Sequence, residues 1–227
     1  MEKKETYRVL LNEDWELEDL YNFPHALYQC YAFVYCLDSD LAPSDRARID
    51  FALREYPWRG GYSYVNMYFV LAKQIPRRDH PKIHSIQKAS PGWLDLILNQ
   101  HVAVQVATAV GILSSAFHSA QAVYKKAHKL MLEINANRRR EKVQRATATA
   151  AELKAFNAMC TELAKNLGFK SLKELHEKTG DPEVSMKILM AHYRRMSVLV
   201  EYEKEGKATL TLPKPPSDKK SNKNINE

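Results

Sequence analysis

LILNQHVAVQVATAVGILSSAFHSAQAVY, residues 96–124, is a run of 29 residues in which no side chain carries a formal charge. Small side chains recur along it at every fourth position, and the four that we assign to a helix-packing interface are Ala103, Ala107, Gly111 and Ser115. Small residues at this spacing form a stripe along which a second helix approaches closely. We therefore predict a buried helix that begins at Trp93 and packs through this stripe against another helix, of the same fold or of a second copy.

Membrane insertion is the alternative for residues 96–117. A transmembrane helix needs about 20 consecutive, predominantly apolar residues. Polar side chains interrupt this stretch, among them Gln100, His101 and Gln105. Because such groups are costly in hydrocarbon, the pattern favours a close-packed helix in water over a membrane-perturbing protein that inserts this segment.

A strongly basic stretch follows on the same predicted helix, which should continue because neither proline nor glycine occurs between Tyr124 and Gly168. The sequence NANRRREKVQR, residues 135–145, contains five Lys and Arg side chains. Residues 121–227 hold 22 Lys and Arg against 13 Asp and Glu, whereas residues 1–120 hold 12 against 14. This asymmetry favours a polyanionic partner for the basic half, and a merely solvated helix surface is the alternative.

We therefore predict that the basic half binds nucleic acid without sequence preference, or else binds an acidic protein partner. The candidate contacts are the basic residues of the long helix and two arginines further along the chain: Lys125, Lys126, Lys129, Arg138, Arg139, Arg140, Lys142, Arg145, Arg194 and Arg195. The sequence does not distinguish DNA from RNA.

The N-terminal part of the chain, residues 1–92, is predicted to be a mostly helical unit with one or two short strands. Proline is favoured in the first turn of a helix, so we expect a helix from Pro24, buried because residues 26–37 are apolar on nearly every side. The other predicted elements are a strand at TYRVLL (6–11), helices within 42–58 and 62–75, a strand around Ile83–Ile86, and a helix start at Ser90–Pro91.

Residues 151–212 contain three predicted helices followed by VLVEYEKEGKATLTL, which is able to form two strands. Three helices and a hairpin in this order are typical of a winged helix. The alternative is one helix from Pro182 to about Glu205, because that segment is rich in good helix formers. The polar, Pro- and Lys-rich residues 213–227 are expected to be disordered.

The composition indicates a globular protein, with 45% hydrophobic and 27% charged residues. Three scattered cysteines predict neither a disulfide framework nor a zinc site, and the N-terminal sequence MEKKETYRVL has no apolar run of a signal peptide. The sequence contains no glycine-rich phosphate loop and no CxxC or HExxH pattern. We therefore expect a cytoplasmic, non-enzymatic protein that uses no catalytic residue, cofactor or metal.

One fragment nevertheless has a counterpart in an enzyme family. RDHPKIH, residues 78–84, resembles the short Arg-polar-x4-His motif of the HEPN ribonucleases, which are all-helical domains that cut RNA with paired arginine and histidine. The resemblance covers seven residues. It implies that Arg78 would stabilise a phosphate and that His84 would act as a general acid or base. A HEPN-like ribonuclease is therefore a further alternative.

Together these patterns predict a mainly α-helical chain. Its parts are a helical N-terminal unit with one or two short strands (1–92), a long central helix (93–150), a basic C-terminal helical or winged-helix-like region (151–212) and a tail (213–227). We expect this protein to form a homo-oligomer, to bind nucleic acid, or to do both.

Overall fold

Eight helices and four short strands make up the part of the chain that the structure describes. The structure is a computed structural model, and it describes residues 6–12, 14–38, 41–55, 65–89, 91–140, 150–168, 172–180 and 182–211. The strands are β1 (Tyr7–Leu11), β2 (Lys82–Gln87), β3 (Gly92–Ile97) and β4 (Ala208–Leu210). The helices are α1 (Leu17–Leu37), α2 (Pro43–Glu55), α3 (Val65–Gln74), α4 (Gln100–Ser115), α5 (Phe117–Arg140), α6 (Ala150–Asn166), α7 (Leu172–Thr179) and α8 (Pro182–Lys204). The chain is therefore mainly α-helical with a few short strands, as predicted.

The four strands form one antiparallel sheet in the order β2-β3-β1-β4. Val9, in the middle of β1, lies opposite Leu94 of β3 and Leu210 of β4. All three side chains are buried, because alternate residues of each strand face the helices. The predicted strands at TYRVLL and around Ile83–Ile86 are confirmed as β1 and β2.

The predicted helix start at Ser90–Pro91 and Trp93 is wrong, because Gly92–Ile97 forms strand β3. Strand β3 lies between β1 and β2 and pairs with both. Pairing on both edges satisfies its backbone groups, and this tertiary context outweighs the local preference for a helix start.

Helix α1 begins at Leu17, earlier than the predicted start at Pro24. The backbone N–H of Glu16 donates a 2.8 Å hydrogen bond to the Asp19 carboxylate, as in a capping box that opens a helix. Pro24 therefore lies inside the helix, where it cannot bond the Leu20 carbonyl. Leu20 is 44% exposed, so this turn of the helix reaches solvent, where an unpaired backbone group costs less.

The predicted continuous central helix is broken at Ala116 into α4 and α5, which meet at an angle of 88°. The hydroxyl of Ser115 donates to the Gly111 carbonyl at 3.0 Å, and the Ser119 hydroxyl donates to the Ala116 carbonyl at 2.8 Å. Serine hydroxyls that bond the preceding turn compete with the helix backbone and bend helices. The break turns α5 back across α8.

The winged-helix arrangement is also wrong, and the alternative of a single long helix is confirmed as α8. Gly206, with a φ of +72°, lies in the turn after α8, where its lack of a Cβ makes a left-handed backbone inexpensive. The chain then enters β4, which pairs with β1 and not with a neighbouring hairpin strand.

Helix α8 lies at the centre of the core, in contact with α1, α4, α5 and α6. Its Met196, Leu199 and Val200 side chains have no exposed surface. Because β4 pairs with β1 and α8 packs on α1, the first and last described elements share one sheet and one core. Elements on both sides of the predicted boundaries at residues 92 and 150 contribute to that core.

Three smaller elements complete the helical layer. The predicted helices within residues 42–58 and 62–75 are confirmed as α2 and α3. Helix α7 is joined to α2 by an ion pair of 2.8 Å between Lys178 and Asp50. The predicted tail, residues 213–227, lies outside the described residues.

Candidate nucleic-acid interface

Helix α5 buries one stripe and exposes the opposite face. The buried residues recur at helical spacing and are Ala120, Val123, Ala127, Met131 and Ile134. Three of the predicted contacts, Lys125, Lys126 and Lys129, fall between them and are exposed. Side chains three and four residues apart share a helix face, so this apolar stripe fixes α5 against the core and directs the lysines to solvent.

Helix α8 adds an arginine and a tyrosine to the edge of this lysine face. The Tyr124 ring of α5 stacks on the Tyr193 ring of α8, with a centroid distance of 4.8 Å and an interplanar angle of 23°. The guanidinium of Arg194 donates to the Tyr124 hydroxyl at 3.3 Å. These contacts hold Arg194, which is exposed, beside the start of the lysine face although 70 residues separate it from Tyr124.

A second cation–aromatic contact lies further along the same helix pair. The ammonium group of Lys204, at the end of α8, is 3.7 Å from the centroid of the Phe117 ring at the start of α5. Contacts of this kind contribute roughly 0.5–1 kcal/mol at exposed sites. Since the start of α5 meets the end of α8, the two helices run in opposite directions, and cations lie at both ends of their contact.

Aromatic faces on this side are mostly covered. His128 stacks on Tyr124 at a centroid distance of 6.2 Å, so the Tyr124 ring contacts both the Tyr193 and the His128 rings. Burial raises the pKa of Tyr193, and the nearby charge of Glu201 raises it further. The phenol is therefore neutral at physiological pH, and the surface presents cationic groups more than open rings for base stacking.

Two carboxylates limit the basic surface. Glu133 lies 3.8 Å from Lys129 on α5, and Glu201 is exposed on α8 about two turns beyond Arg194. What remains is the surface that we call the α5–α8 surface: Lys125, Lys126, Lys129 and Arg194, with Tyr124 and His128. Sequence reasoning missed the two aromatic residues, although their i,i+4 spacing beside a Lys-Lys pair indicates a shared face.

Arg195 does not lie with the other candidate contacts. It is half-buried in the cleft between α8 and α1, with its guanidinium 5.9 Å from the Tyr68 ring. Consecutive helix residues point about 100° apart, so Arg194 and Arg195 necessarily face different sides of α8. Both were predicted as contacts because a pair of adjacent basic residues does not show, in the sequence, which of the two faces the core.

The arginine-rich stretch is described only in part. Arg138, Arg139 and Arg140 form the last turn of α5, as predicted for a helix, but their side chains lie outside the described part of the structure. Lys142 and Arg145 lie outside the described residues altogether. The prediction that these five residues contact a polyanion therefore stays a prediction.

The small-residue stripe of α4 has two different halves. Ala103 and Ala107 are buried in the core, whereas Gly111 and Ser115 are exposed. A Cβ placed on Gly111 would meet no atom within 4 Å, so the predicted close helix contact does not form at this position within the described residues. A contact of the exposed half with a second copy stays a prediction.

The fragment that resembles the HEPN motif is divided between a turn and a strand. The guanidinium of Arg78 lies 2.7 Å from Asp45 and 3.4 Å from Asp79, while His84 is an exposed residue of β2. The turn itself is fixed to α1, because the Tyr35 hydroxyl donates to the Asp79 carboxylate at 2.8 Å. The two residues therefore do not share a helix face, as the family's pair would.

The segment considered for membrane insertion, residues 96–117, is divided between β3 and α4, and it ends at the start of α5. Val102, Val106, Val110 and Leu113 of α4 are buried in the core. Within the described ranges, no single helix is long and apolar enough to cross a membrane, and the α4–α5 pair meets that criterion only when the two bent helices are taken together.

The described residues contain no group of three or more His, Cys, Asp or Glu side chains placed to hold a metal ion. Cys30, Cys36 and Cys160 are free and buried. Burial raises the pKa of the Cys36 and Cys160 thiols to about 12, so these groups stay protonated at neutral pH.

Comparison of the chain with protein-family models, with curated proteins and with solved structures finds no match. The geometry and charge of the α5–α8 surface are therefore the basis for its function.

Proposed function

We propose that the protein binds nucleic acid through the α5–α8 surface, without sequence preference and without catalysing a reaction, as a cytosolic protein. The observation that carries this proposal is the Arg194–Tyr124 contact, which adds a cation from α8 to three exposed lysines of α5. Charges from two helices thus converge on one side of the molecule. Such clustering of Lys and Arg on one face is the electrostatic footprint expected of a nucleic-acid-binding protein.

Phosphates are the groups that this surface fits. Lysine ammonium groups are flexible point charges, which attract phosphates but do not distinguish bases. Tyr124 is covered by Tyr193 and His128, so stacking of unpaired bases contributes little. The expected binding is therefore weak, strongly dependent on salt and similar for DNA and RNA.

The membrane and ribonuclease alternatives require rearrangements that this proposal does not. Insertion of α4 would expose the core around Val106 and Val110, which are buried. Catalysis by Arg78 would require its guanidinium to leave two carboxylates. Binding through exposed lysines requires no change in the fold.

The test is fluorescence anisotropy with labelled single-stranded DNA, single-stranded RNA and duplex DNA at low salt. We expect wild-type binding to all three and its loss in the variant Lys125→Glu, Lys126→Glu, Lys129→Glu. A matched control reverses three exposed lysines on other helices, Lys73→Glu, Lys154→Glu and Lys173→Glu, and should bind more strongly than the α5 variant at the same net charge.

Absence of wild-type binding at low salt would contradict the proposal and would favour an acidic protein partner for α5. Equal loss in both triple variants would mean that net charge alone, and not the α5–α8 surface, attracts the nucleic acid. Reversal of Arg138, Arg139 and Arg140 to glutamate, with circular dichroism to check folding, tests whether the arginine-rich turn extends the surface.

A further inference from the structure

The outer face of α1 is apolar where it should be polar. Leu17 is 84% exposed, Tyr21 67% and Leu20 44%, and Pro24 and Tyr28 follow them on the same face, half-buried. Their spacing of three and four residues forms one stripe along the helix. A surface helix normally carries polar side chains on this face, and contiguous exposed apolar stripes mark interaction sites.

An acidic cleft runs beside this stripe, between α1 and α8. Its volume is about 440 Å³, and its walls carry the exposed carboxylates of Glu16, Glu18 and Glu201. The buried carboxylate of Asp19 also lines the cleft, but it is already bound by the Tyr202 hydroxyl at 2.8 Å and by the Lys207 ammonium at 3.1 Å. The exposed glutamates therefore give the rim of the cleft its negative charge.

Cations in the cleft do not cancel this charge at the rim. Lys207 is held by Asp19, and Arg195 is half-buried, with its guanidinium 5.9 Å from the centroid of the Tyr68 ring. His25 stacks on Tyr21 with a centroid distance of 5.5 Å. Burial, and then the charge of Arg195, lowers the pKa of His25, so this imidazole is neutral at physiological pH.

We propose that this face, Leu17, Leu20 and Tyr21 together with Glu16, Glu18 and Glu201, docks a basic amphipathic helix of a partner protein. The partner would lie along α1, with its apolar side chains on the stripe and its Lys or Arg side chains over the glutamates. Helices that pack an apolar face into a groove are a recurrent mode of recognition, and charges at the rim set specificity and association rate. The exposed glutamates attract a basic partner at this face, although the net charge of the whole chain is +7.

This docking face is distinct from the α5–α8 surface. Glu18 and Leu17 belong to α1, whereas the lysines of the α5–α8 surface belong to α5. The proposal therefore does not rest on nucleic-acid binding, and variants of Leu17 and Tyr21 test it without changing a residue of the α5–α8 surface or Glu201, which borders both surfaces.

The probe is a labelled synthetic peptide with leucines at helical spacing and lysines on the neighbouring face. Its counterpart carries glutamate in place of each lysine. By fluorescence anisotropy we expect the basic peptide to bind the full chain, with a dissociation constant at least about tenfold lower than that of the acidic peptide.

Two double variants locate the binding site. Leu17→Asn with Tyr21→Asn removes the apolar contact, and Glu18→Gln with Glu201→Gln removes the charge. Each should weaken binding of the basic peptide by about tenfold. The matched controls are Phe51→Asn with Phe69→Asn, two exposed aromatic residues of α2 and α3, and Glu133→Gln with Glu177→Gln, exposed carboxylates of α5 and α7; both should bind as wild type does.

Equal binding of the two peptides, or wild-type affinity in either face variant, would overturn the proposal. So would sedimentation data that show the wild type pairing with a second copy of itself through this face, with dimerisation lost in the Leu17 and Tyr21 variant. Because all substituted side chains are exposed, circular dichroism should report an unchanged fold in every variant.

Discussion

Helices α5 and α8 are nearly equal in length, 24 and 23 residues, and both carry basic side chains, but they are buried to very different extents. Helix α8 contacts helices on several sides, and its buried residues fall on most of its circumference. Helix α5 buries a single stripe. The difference teaches that charge in the sequence does not determine a helix's role. The position of the helix relative to the core determines its role. Helix α8 packs against helices on several sides and stabilises the fold, whereas α5 exposes one face to solvent.

The largest expected effect lies in α8. Leu199 has no exposed surface, so Leu199→Ala should lower the free energy of unfolding by about 2–5 kcal/mol through lost burial and a new cavity. Leu132 of α5 is 42% exposed, and Leu132→Ala should stay within about 0.5 kcal/mol of wild type. Urea denaturation followed by circular dichroism measures both. Similar losses in the two variants would contradict the contrast between the helices.

Acid sensitivity should also originate in α8. His192 is fully buried and stacks on Phe33 at a centroid distance of 3.9 Å, and burial lowers its pKa from 6.5 to about 3. As the pH falls, the His192 imidazole is protonated in the unfolded chain before it is protonated in the folded one. Its contribution to the free energy of unfolding is therefore complete above pH 6.5 and is lost as the pH falls towards 3, by roughly 1.4 kcal/mol per pH unit within that window. The variant His192→Leu should have a flatter profile of unfolding free energy against pH.

The exposed His118 offers the matched control for this profile. His118→Leu should keep the wild-type dependence on pH. If His192→Leu keeps it as well, the acid sensitivity has another source.

A smaller effect is expected where α8 meets α1. The Tyr202 hydroxyl donates to Asp19. Burial alone would raise the pKa of this carboxyl, but hydrogen bonds from the Glu16 backbone, Tyr202 and Lys207 together lower it. Tyr202→Phe keeps the ring and removes one donor, so we expect a loss of about 1–2 kcal/mol.

The acid limb of the stability curve provides a second readout for Tyr202→Phe. A carboxyl with a depressed pKa stabilises the fold above its unfolded pKa, and this contribution disappears as the pH falls through its folded pKa. Removal of the Tyr202 donor raises the folded pKa of Asp19 towards its ordinary value. Acid unfolding of the variant should therefore begin at a higher pH; an unchanged acid midpoint would contradict the assigned hydrogen bond.

The smallest effect on stability is expected at the contact between α5 and α8. Arg194 is exposed, so Arg194→Ala should change the free energy of unfolding by less than about 0.5 kcal/mol. Binding of single-stranded DNA should nevertheless weaken, since the variant removes one of the proposed phosphate contacts. Wild-type affinity in this variant would remove Arg194 from the proposed surface.

Helices and strands whose apolar pattern lies within their own residues were predictable from the sequence. The helices α2 and α3 and the strands β1 and β2 are found where their residues predict them. Pairings with distant partners were not: β3 is a strand because β1 and β2 flank it, and β4, where the sequence allowed a strand, pairs with β1 at the other end of the chain and not with a hairpin neighbour. No local pattern around Trp93 or Thr209 contains that information.

The candidate site was predictable in the same uneven way. Lys125, Lys126 and Lys129 were predicted as contacts from charge alone, and the structure places all three on the exposed face of α5. The role of Tyr124 and the separation of Arg194 from Arg195 depend on which side of α8 faces α1, and this is decided by packing of the whole core. The break at Ala116 was missed because serine hydroxyls bend a helix without the proline or glycine that usually marks a bend.

The central claim, that exposed lysines of α5 contact phosphates, is tested most directly by the dependence of affinity on salt. The measurement is the slope of log Kd against log salt concentration for single-stranded DNA, in wild type and in the variant Lys125→Gln, Lys126→Gln, Lys129→Gln. Each phosphate contact contributes about 0.7 to the slope for a single strand. We predict that removal of three contacts lowers the slope by about 2, and a slope equal to that of wild type would contradict the account.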